Sequence, residues 1–339
     1  MNSHPDIIYL ERHLETHTLT KKIISKLPGV PVILIDDYKT INLDKDFKQR
    51  ADEDKNSLAI AEKKGELVKS IGRMDDGQYY LFHEIDCKYD CEYCYLQYYF
   101  QTKVPVIFVN RDEVLKKIEE ILQKEPNPYF HVGEVCDSLA FDYLTDFSSD
   151  IARLFLQYEN GKVEFRTKST NIENLLSLDK APKNLIPSWT ISPEYVAEKI
   201  EHKTPSFSQR LEAAKSCQEH GFTVGIRLDP IFNFEGWEKH YSKMVKDIFS
   251  ALDPDKIDYV TLGTVKVQKN LLDVLNNRFP GSLIHNQEIV PSSDGKFKPI
   301  KFDRVNIYRK MTGWINELAP ELKIDLSIES PEVRELVFG

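Results

Sequence analysis

The alternation of apolar and polar positions changes character along the chain. Short apolar runs bounded by turn residues read as strands, and apolar residues recurring every three or four positions read as helices. At the N-terminus "IIYL", "TLTKKIISKL" and "VPVILID" predict a strand, a helix and a strand. The next stretch, "DKDFKQRADEDKNSLAIAEKKGELVKS", is dominated by charge and shows no apolar face, so it reads as a solvated helix or a linker. A regular pattern begins after it. "YYLFHEI" (79–85) predicts a strand, "CEYCYLQYYF" a helix and "VPVIFVN" (104–110) an extended segment. "RDEVLKKIEEIL" carries apolar residues at helical spacing and acidic residues in its first turn.

The same alternation continues through "YFHVGEV", a helix near 147–158, "KVEFRTK", a short helix near 171–178 and "LIPSWTIS". It goes on through "FSQRLEAAKSCQEHG", "FTVGIRLDPI", "EGWEKHYSKMVKDIFSAL" and "IDYVTLGTV". Strands alternating with helices predict a parallel sheet with right-handed crossovers. Six such units follow the cysteines, which suits an open or partial barrel. After about residue 268 the alternation lapses, and "SSDGKFKPIKF" resembles a basic loop or hairpin. The expected division is an N-terminal α/β extension over 1–75, a barrel over 76–268, and a C-terminal region over 269–339 with the hairpin-like loop and a helix.

Composition adds bounds. At 339 residues, 41% apolar and 29% charged, the chain has the make-up of an ordinary globular protein. No stretch approaches the roughly 20 apolar residues of a membrane-spanning helix. "MNSHPDIIYLERHLE" has acidic residues and no apolar core, unlike a secretory signal, so the cytoplasm is the expected compartment and no membrane partner is expected. The net charge of −9 argues against tight, non-specific DNA binding but leaves room for a local basic groove.

The chemistry concentrates in "DCKYDCEYCYLQ" (86–97), where Cys87, Cys91 and Cys94 fall within eight positions of a chain with five cysteines. In a reducing compartment, clustered thiols point to metal or catalysis. Structural zinc wants four protein ligands, commonly as two separated pairs, and no second pair is present. His83 or Cys136 would be needed to complete such a site. Three thiolates instead suit a cubane iron–sulfur cluster with one iron left open. Cys217, on an amphipathic helix, reads as structural.

The CxxxCxxC spacing after a first strand resembles the radical SAM superfamily, and "CEYCYLQ" resembles more narrowly the spore photoproduct lyase family. The likeness extends through "VNRDEVL", "DYLT", "FRTKS", "FSQRLEAA" and "DPIFNFEGWEKHY". It implies a partial (β/α)6 barrel of TIM type and a [4Fe–4S] cluster on Cys87, Cys91 and Cys94. It implies that S-adenosylmethionine is cleaved to a 5′-deoxyadenosyl radical. That radical takes a hydrogen from a thymine photolesion in DNA, and the lesion reverts to two thymines. It also implies an electron donor of the flavodoxin or ferredoxin type.

Residue by residue, Tyr93 and Tyr95 match two family tyrosines, the second a hydrogen relay. Lys168 in "RTK" and Ser192 in "WTIS" match positions lining the cofactor pocket. The hydrogen-donating cysteine of the lyases sits three residues before an Asp; here that position, counted from Asp137, is Glu134. Cys136 lies two residues further on, where an extended strand would keep it on the same face. It reads either as a shifted donor or as a small buried hydrophobe. "VGEV" also resembles the Gly–Glu of many radical SAM enzymes, which would make Glu134 a ligand of the SAM amine. Arg227 in "GIRLDP" is placed to hold the SAM carboxylate or to form an internal ion pair. In "KFKPIKF", Lys296, Lys298 and Lys301 alternate with Phe297 and Phe302, as phosphate contacts beside aromatic wedges would. Two other readings stand beside the lyase. One keeps the cluster and SAM but takes a different nucleic-acid lesion, nucleotide or small molecule; the other is a non-catalytic, zinc-stapled nucleic-acid-binding protein.

Overall fold

The computed structural model describes residues 4–42, 54–72, 77–292 and 294–339. In chain order the strands are β1 (Ile7–Glu11), β2 (Val32–Ile35), β3 (Ser57–Ala61), β4 (Val68–Ile71), β5 (Gln78–Leu81), β6 (Glu84–Ile85), β7 (Asp90–Cys91), β8 (Val106–Phe108), β9 (Tyr129–Val132), β10 (Lys162–Thr167), β11 (Leu185–Thr190), β12 (Glu201–His202), β13 (Val224–Ile231), β14 (Ile257–Thr264), β15 (Ile289–Pro291), β16 (Phe297–Pro299) and β17 (Ile324–Leu326). Two compact units are formed, Met1–Tyr89 with Tyr99–Ile186, and Asp90–Tyr98 with Pro187–Gly339. The chain crosses to the second unit inside the cysteine loop, returns between Tyr98 and Tyr99, and crosses again inside β11.

In the first unit one sheet has the order β2-β1-β3-β8-β6. β1 is parallel to β2 and β3, β3 is parallel to β8, and β6 is antiparallel to β8. In the second sheet β5, β9 and β10 are parallel neighbours, and β4 pairs antiparallel to β5. The helix Arg111–Leu122 joins β8 to β9 and buries Val114, Ile118, Ile121 and Leu122, the stripe its periodicity predicts. Asp112 and Glu113 in its first turn complement the positive end of the helix dipole.

Two sequence expectations change here. The charged stretch, for which a solvated helix or a linker is expected, contains β3, whose five residues are all buried, and runs into β4. A parallel strand covered on both faces loses the alternation that marks a half-buried one, and "SLAIA" is too short to stand out among its charged neighbours. Residues 44–53 of that stretch lie outside the described residues. "YYLFHEI" is two strands rather than one: β5 and β6 belong to different sheets, and Phe82 and His83 make the transition. The amide of Phe108 still bonds the carbonyl of His83, so pairing with β8 begins one residue before β6.

In the second unit β11, β13, β14 and β17 run parallel. The helix Phe207–Glu219 starts with a capping box of Ser206 and Gln209. The helix Trp237–Ala251 buries Trp237, Tyr241, Met244, Val245 and Ile248. The alternation that lapses after residue 268 resumes, because the helix Lys301–Asn316 leads to β17 beside β14. Three residues flanked by charge gave no readable period. "CEYCYLQYYF" is not one helix: β7 pairs antiparallel with β12, and only Leu96–Tyr99 is helical. The basic loop is a hairpin of β15 and β16. Among the described residues no helix is long and apolar enough to cross a membrane.

Candidate active site

Glu134 and Cys136, Lys168, and Ser192 lie just beyond the C-terminal ends of the parallel strands β9, β10 and β11, where α/β folds collect their chemistry. In the first unit the cysteine loop starts from Asp86, held at φ 60°, a left-handed conformation that Asp tolerates better than most residues. Asp86 accepts from the amide of Cys87 at 2.7 Å and from Lys55 Nζ at 2.6 Å. Lys55 also donates to the Cys87 carbonyl at 2.8 Å. This buried ion pair fixes the backbone of the first thiol and leaves a cation beside it. Lys88 points among the rings of Tyr89, Phe141 and Tyr143 at 5.5 to 5.8 Å. Burial pulls its pKa down, against the pull of Asp137, Cys87 and Glu84.

β9 ends at Val132, and Gly133 turns the chain at φ 96°. A Cβ there would lie 2.6 Å from the Arg166 carbonyl, so only glycine fits. Glu134 then pairs with Arg166 at 3.1 Å, and Arg166 also bonds Glu164 at 2.8 Å. Asp137 clasps the loop to β10, accepting from Thr167 Oγ1 at 2.7 Å, the Lys168 amide at 2.6 Å and the Leu139 amide at 3.1 Å. Burial raises its pKa against these bonds. Lys168 is half-buried at the end of β10.

Cys136 lies in this bend and not in an extended strand, so the same-face argument for its offset from Glu134 does not apply. It is buried, and burial first, then the charges of Glu84 and Cys87, push its pKa well up. His83 and Glu84 are its neighbours: one donor atom from each of the three lies within 4.8 Å of the others. Burial presses the His83 imidazole down to about 3. The same effect, reinforced by Asp142 and Asp137, raises Glu84 well above the usual carboxylate range.

In the second unit the pairing of β7 with β12 sets Cys91 opposite Glu201. Asp90 receives Arg278 through both terminal nitrogens, at 3.1 and 2.9 Å, and Gln97 donates to Asp90 at 2.8 Å and to the Cys91 carbonyl at 3.0 Å. Glu201 collects two of the three cofactor candidates of this unit: the Tyr93 hydroxyl donates to it, and Ser192 Oγ does so at 3.0 Å. Its other oxygen lies 2.6 Å from Arg210, and both side chains are fully buried. Burial, followed by the charge of Glu201, raises the Tyr93 pKa well up. Glu92 and His202 bond at 2.7 Å on the same pair of strands. Tyr95 is half-buried on the turn before the short helix, and its carbonyl accepts from the Tyr98 amide. Arg227 is half-buried on β13, two residues before Asp229. Although burial works to raise Asp229, Lys266, Ser327 and Arg227 hold its carboxyl below the ordinary range.

The hairpin stretch is divided. Lys298 is buried and paired with Asp294 at 2.8 Å; Lys301 opens the next helix and pairs with Glu332 at 2.7 Å. Lys296 and Phe297 are half-buried, while Phe302 is 77% exposed. Sequence reasoning missed Lys55, Arg166, Glu201, Arg210 and Arg278. Lys55, Arg166, Glu201 and Arg278 meet partners 31 to 188 positions away, and Arg210 reaches Glu201 only once a helix folds back on β12; the available signal was the acidic residues Asp86, Asp90 and Glu92 interspersed with the cysteines.

The donor set fits an iron–sulfur cluster. Among the described residues no disulfide is formed; Cys91 is buried, and Cys87 and Cys94 are partly exposed. Three soft thiolates within eight positions of sequence are the donor type such a cluster takes.

Comparison with known proteins agrees with this architecture. Residues 3–326 match the sequence model of the spore photoproduct lyase family. The chain is 24% identical over 294 residues to the spore photoproduct lyase of Bacillus subtilis (strain 168), covering 84% of this chain and 85% of that one. It is 26% identical over 197 residues to that of Clostridium acetobutylicum, covering 56% and 58%. A solved spore photoproduct lyase mutant with bound AdoMet and dinucleoside spore photoproduct superposes with a TM-score of 0.83 at 19% identity, over 96% of this chain and 99% of that one. The lyase complexed with dinucleoside spore photoproduct gives the same figures. The fold is therefore the α/β partial barrel of those enzymes, and with the family model matched along nearly its whole length the chain belongs to the spore photoproduct lyase family.

Proposed function

We propose that this protein reverts a thymine photolesion in DNA to two thymines, as a radical SAM lyase. The observation that carries the reading is the three-thiol loop standing in a chain that matches the lyase family over residues 3–326. Membership of a lyase family removes the reading of a non-catalytic, zinc-stapled protein. When bound, the [4Fe–4S] cluster and S-adenosylmethionine supply the one-electron chemistry that takes a hydrogen atom from the lesion.

The residues divide the remaining work. Cys87, Cys91 and Cys94 would hold the cluster. Lys55 and Asp86 set the backbone of the first of them, while Asp90, Gln97 and Arg278 set that of the second. Glu134 would receive the SAM amine, a cation that competes with Arg166 for the same carboxylate. Lys168 and Arg227 are the cations for the SAM carboxylate. Tyr93 and Ser192 complete the cofactor pocket with their hydroxyls oriented by Glu201. Cys136 would return the hydrogen: burial keeps its thiol protonated, the form that has a hydrogen atom to give. Tyr95 would relay hydrogen. Lys296 and Phe297 would meet the DNA; Lys298 and Lys301 would do so only by leaving their carboxylate partners. The electron would come from a flavodoxin or ferredoxin-type protein.

A second reading keeps the chemistry and changes the substrate to another nucleic-acid lesion, a nucleotide or a small molecule. It is favoured by Glu134 standing where the lyase cysteine would be and by the net charge of −9. One anaerobic incubation separates the two. Reconstituted protein is mixed with SAM, dithionite and an oligonucleotide carrying the spore photoproduct, and the products are read by mass spectrometry. Restored thymines above the no-enzyme control are expected. Deoxyadenosine with the lesion intact would reject the lesion as substrate and leave the second reading.

A further inference from the structure

His83, Glu84 and Cys136 are 3%, 2% and 7% exposed, and one donor atom from each lies within 4.8 Å of the others. The Ser138 backbone comes close enough to His83 to pull its pKa up against burial, but neither ring nitrogen makes a hydrogen bond of ordinary geometry, and Glu84 Oε1 has no partner. The closest approach of His83 to Glu84, 3.8 Å, is too long for a hydrogen bond. The imidazole is nevertheless held firmly, stacked on Phe147 with centroids 4.3 Å apart and planes at 11°. Orphaned polar atoms at this depth call for a missing partner, which is either water or an ion.

The donor types decide between them. An imidazole, a carboxylate and a thiolate make a set with borderline softness, suited to zinc and its neighbours. Their two negative charges balance a divalent cation, so the filled pocket is neutral and its burial is not penalised as an isolated charge would be. Zinc binds such atoms at about 2.0 to 2.3 Å, which places tetrahedral ligands roughly 3.5 Å apart. The observed envelope reaches that with side-chain movements on the order of 1 Å.

We infer that His83, Glu84 and Cys136 form a buried three-ligand site for a divalent transition ion of the zinc class, beside the cysteine loop but using none of its three thiols, and with a fourth position for water. The Cys136 sulfur coordinates as thiolate, and its proton leaves to solvent. A coordinated thiolate has no hydrogen atom to donate. Occupancy therefore withdraws Cys136 from hydrogen return, a consequence that rests on the proposed function, whereas the binding itself does not.

The test uses anaerobic, cluster-loaded protein incubated with zinc, passed through a desalting column and analysed for iron and zinc by mass spectrometry. The wild-type chain is expected to retain about one zinc beyond its cluster iron. His83→Gln and Cys136→Ser should each lose that zinc with the iron unchanged, which also shows that the variants are folded; Glu84→Gln, the mildest change in shape, should likewise fail to retain it with the iron unchanged. A wild-type chain that keeps no zinc, as when water fills the pocket, or variants that keep as much as wild type, would overturn the site. In a second arm the zinc-loaded and zinc-free proteins are compared on lesion-bearing oligonucleotide. Continued SAM cleavage with aberrant thymine products is expected on zinc loading. If zinc binds as described but the products do not change, the metal site stands and the assignment of Cys136 as hydrogen donor fails.

Discussion

At the scale of single residues, Glu201 orients much of the second unit's share of the site. It takes hydrogen bonds from Tyr93 and Ser192 and pairs with Arg210, all in the protein interior. A buried ion pair adds little over an apolar replacement of both partners, but removing one partner strands the other charge. Glu201→Ala should therefore cost roughly 3–5 kcal/mol, and Glu201→Gln less, because the amide still offers an acceptor to Tyr93. Urea unfolding of the two variants beside wild type measures this; a Glu201→Ala loss below about 1 kcal/mol would show that the Arg210 charge is compensated from elsewhere. The three cluster cysteines could be read from the sequence because their spacing is local. Glu201 could not, since it stands 108 positions from Tyr93 and acquires meaning only when β12 pairs with β7. Cys136 is recognisable in the sequence but its setting is not, because the backbone leaves the extended conformation at Gly133.

Secondary-structure elements divide the same way. Strands whose residues alternate or run apolar between clear turns were readable, as were helices with a broad apolar stripe such as Arg111–Leu122. β3 and β17 escaped because they are short, lie among charges and derive their stability from neighbours distant in sequence. The turn after β9 is the element on which the first unit's candidates depend, since Gly133 aims Glu134 at Arg166 and delivers Asp137 to the end of β10. Alanine there meets both a positive φ and a carbonyl oxygen at 2.6 Å. Gly133→Ala should cost about 1–3 kcal/mol and shift this turn. A thermal melt reads the first effect. Weaker SAM binding by equilibrium dialysis with the cluster iron retained reads the second. A variant with wild-type melting and SAM affinity would mean that the turn relaxes without moving Glu134.

For the molecule as a whole, charge is the property that bears on a DNA substrate. With 45 Lys and Arg against 54 Asp and Glu, long-range attraction cannot supply the affinity, so contact with the lesion has to be local. Lys298 and Lys301 are already committed to Asp294 and Glu332, and a lysine with its own carboxylate must give up that bond to reach a phosphate. Each phosphate neutralised adds about 0.9 to the slope of log affinity against log salt. On this account Lys296→Glu weakens binding to lesion-bearing duplex and reduces the slope by about that amount. Lys298→Met instead lowers the melting temperature, because it removes the buried cation paired with Asp294 and the donor to the Ile328 carbonyl, and it leaves the slope alone. Fluorescence anisotropy across a salt series distinguishes the two variants. Equal slope changes for both would show that the Lys298–Asp294 pair opens on DNA, and the hairpin would then present its whole lysine row to the backbone.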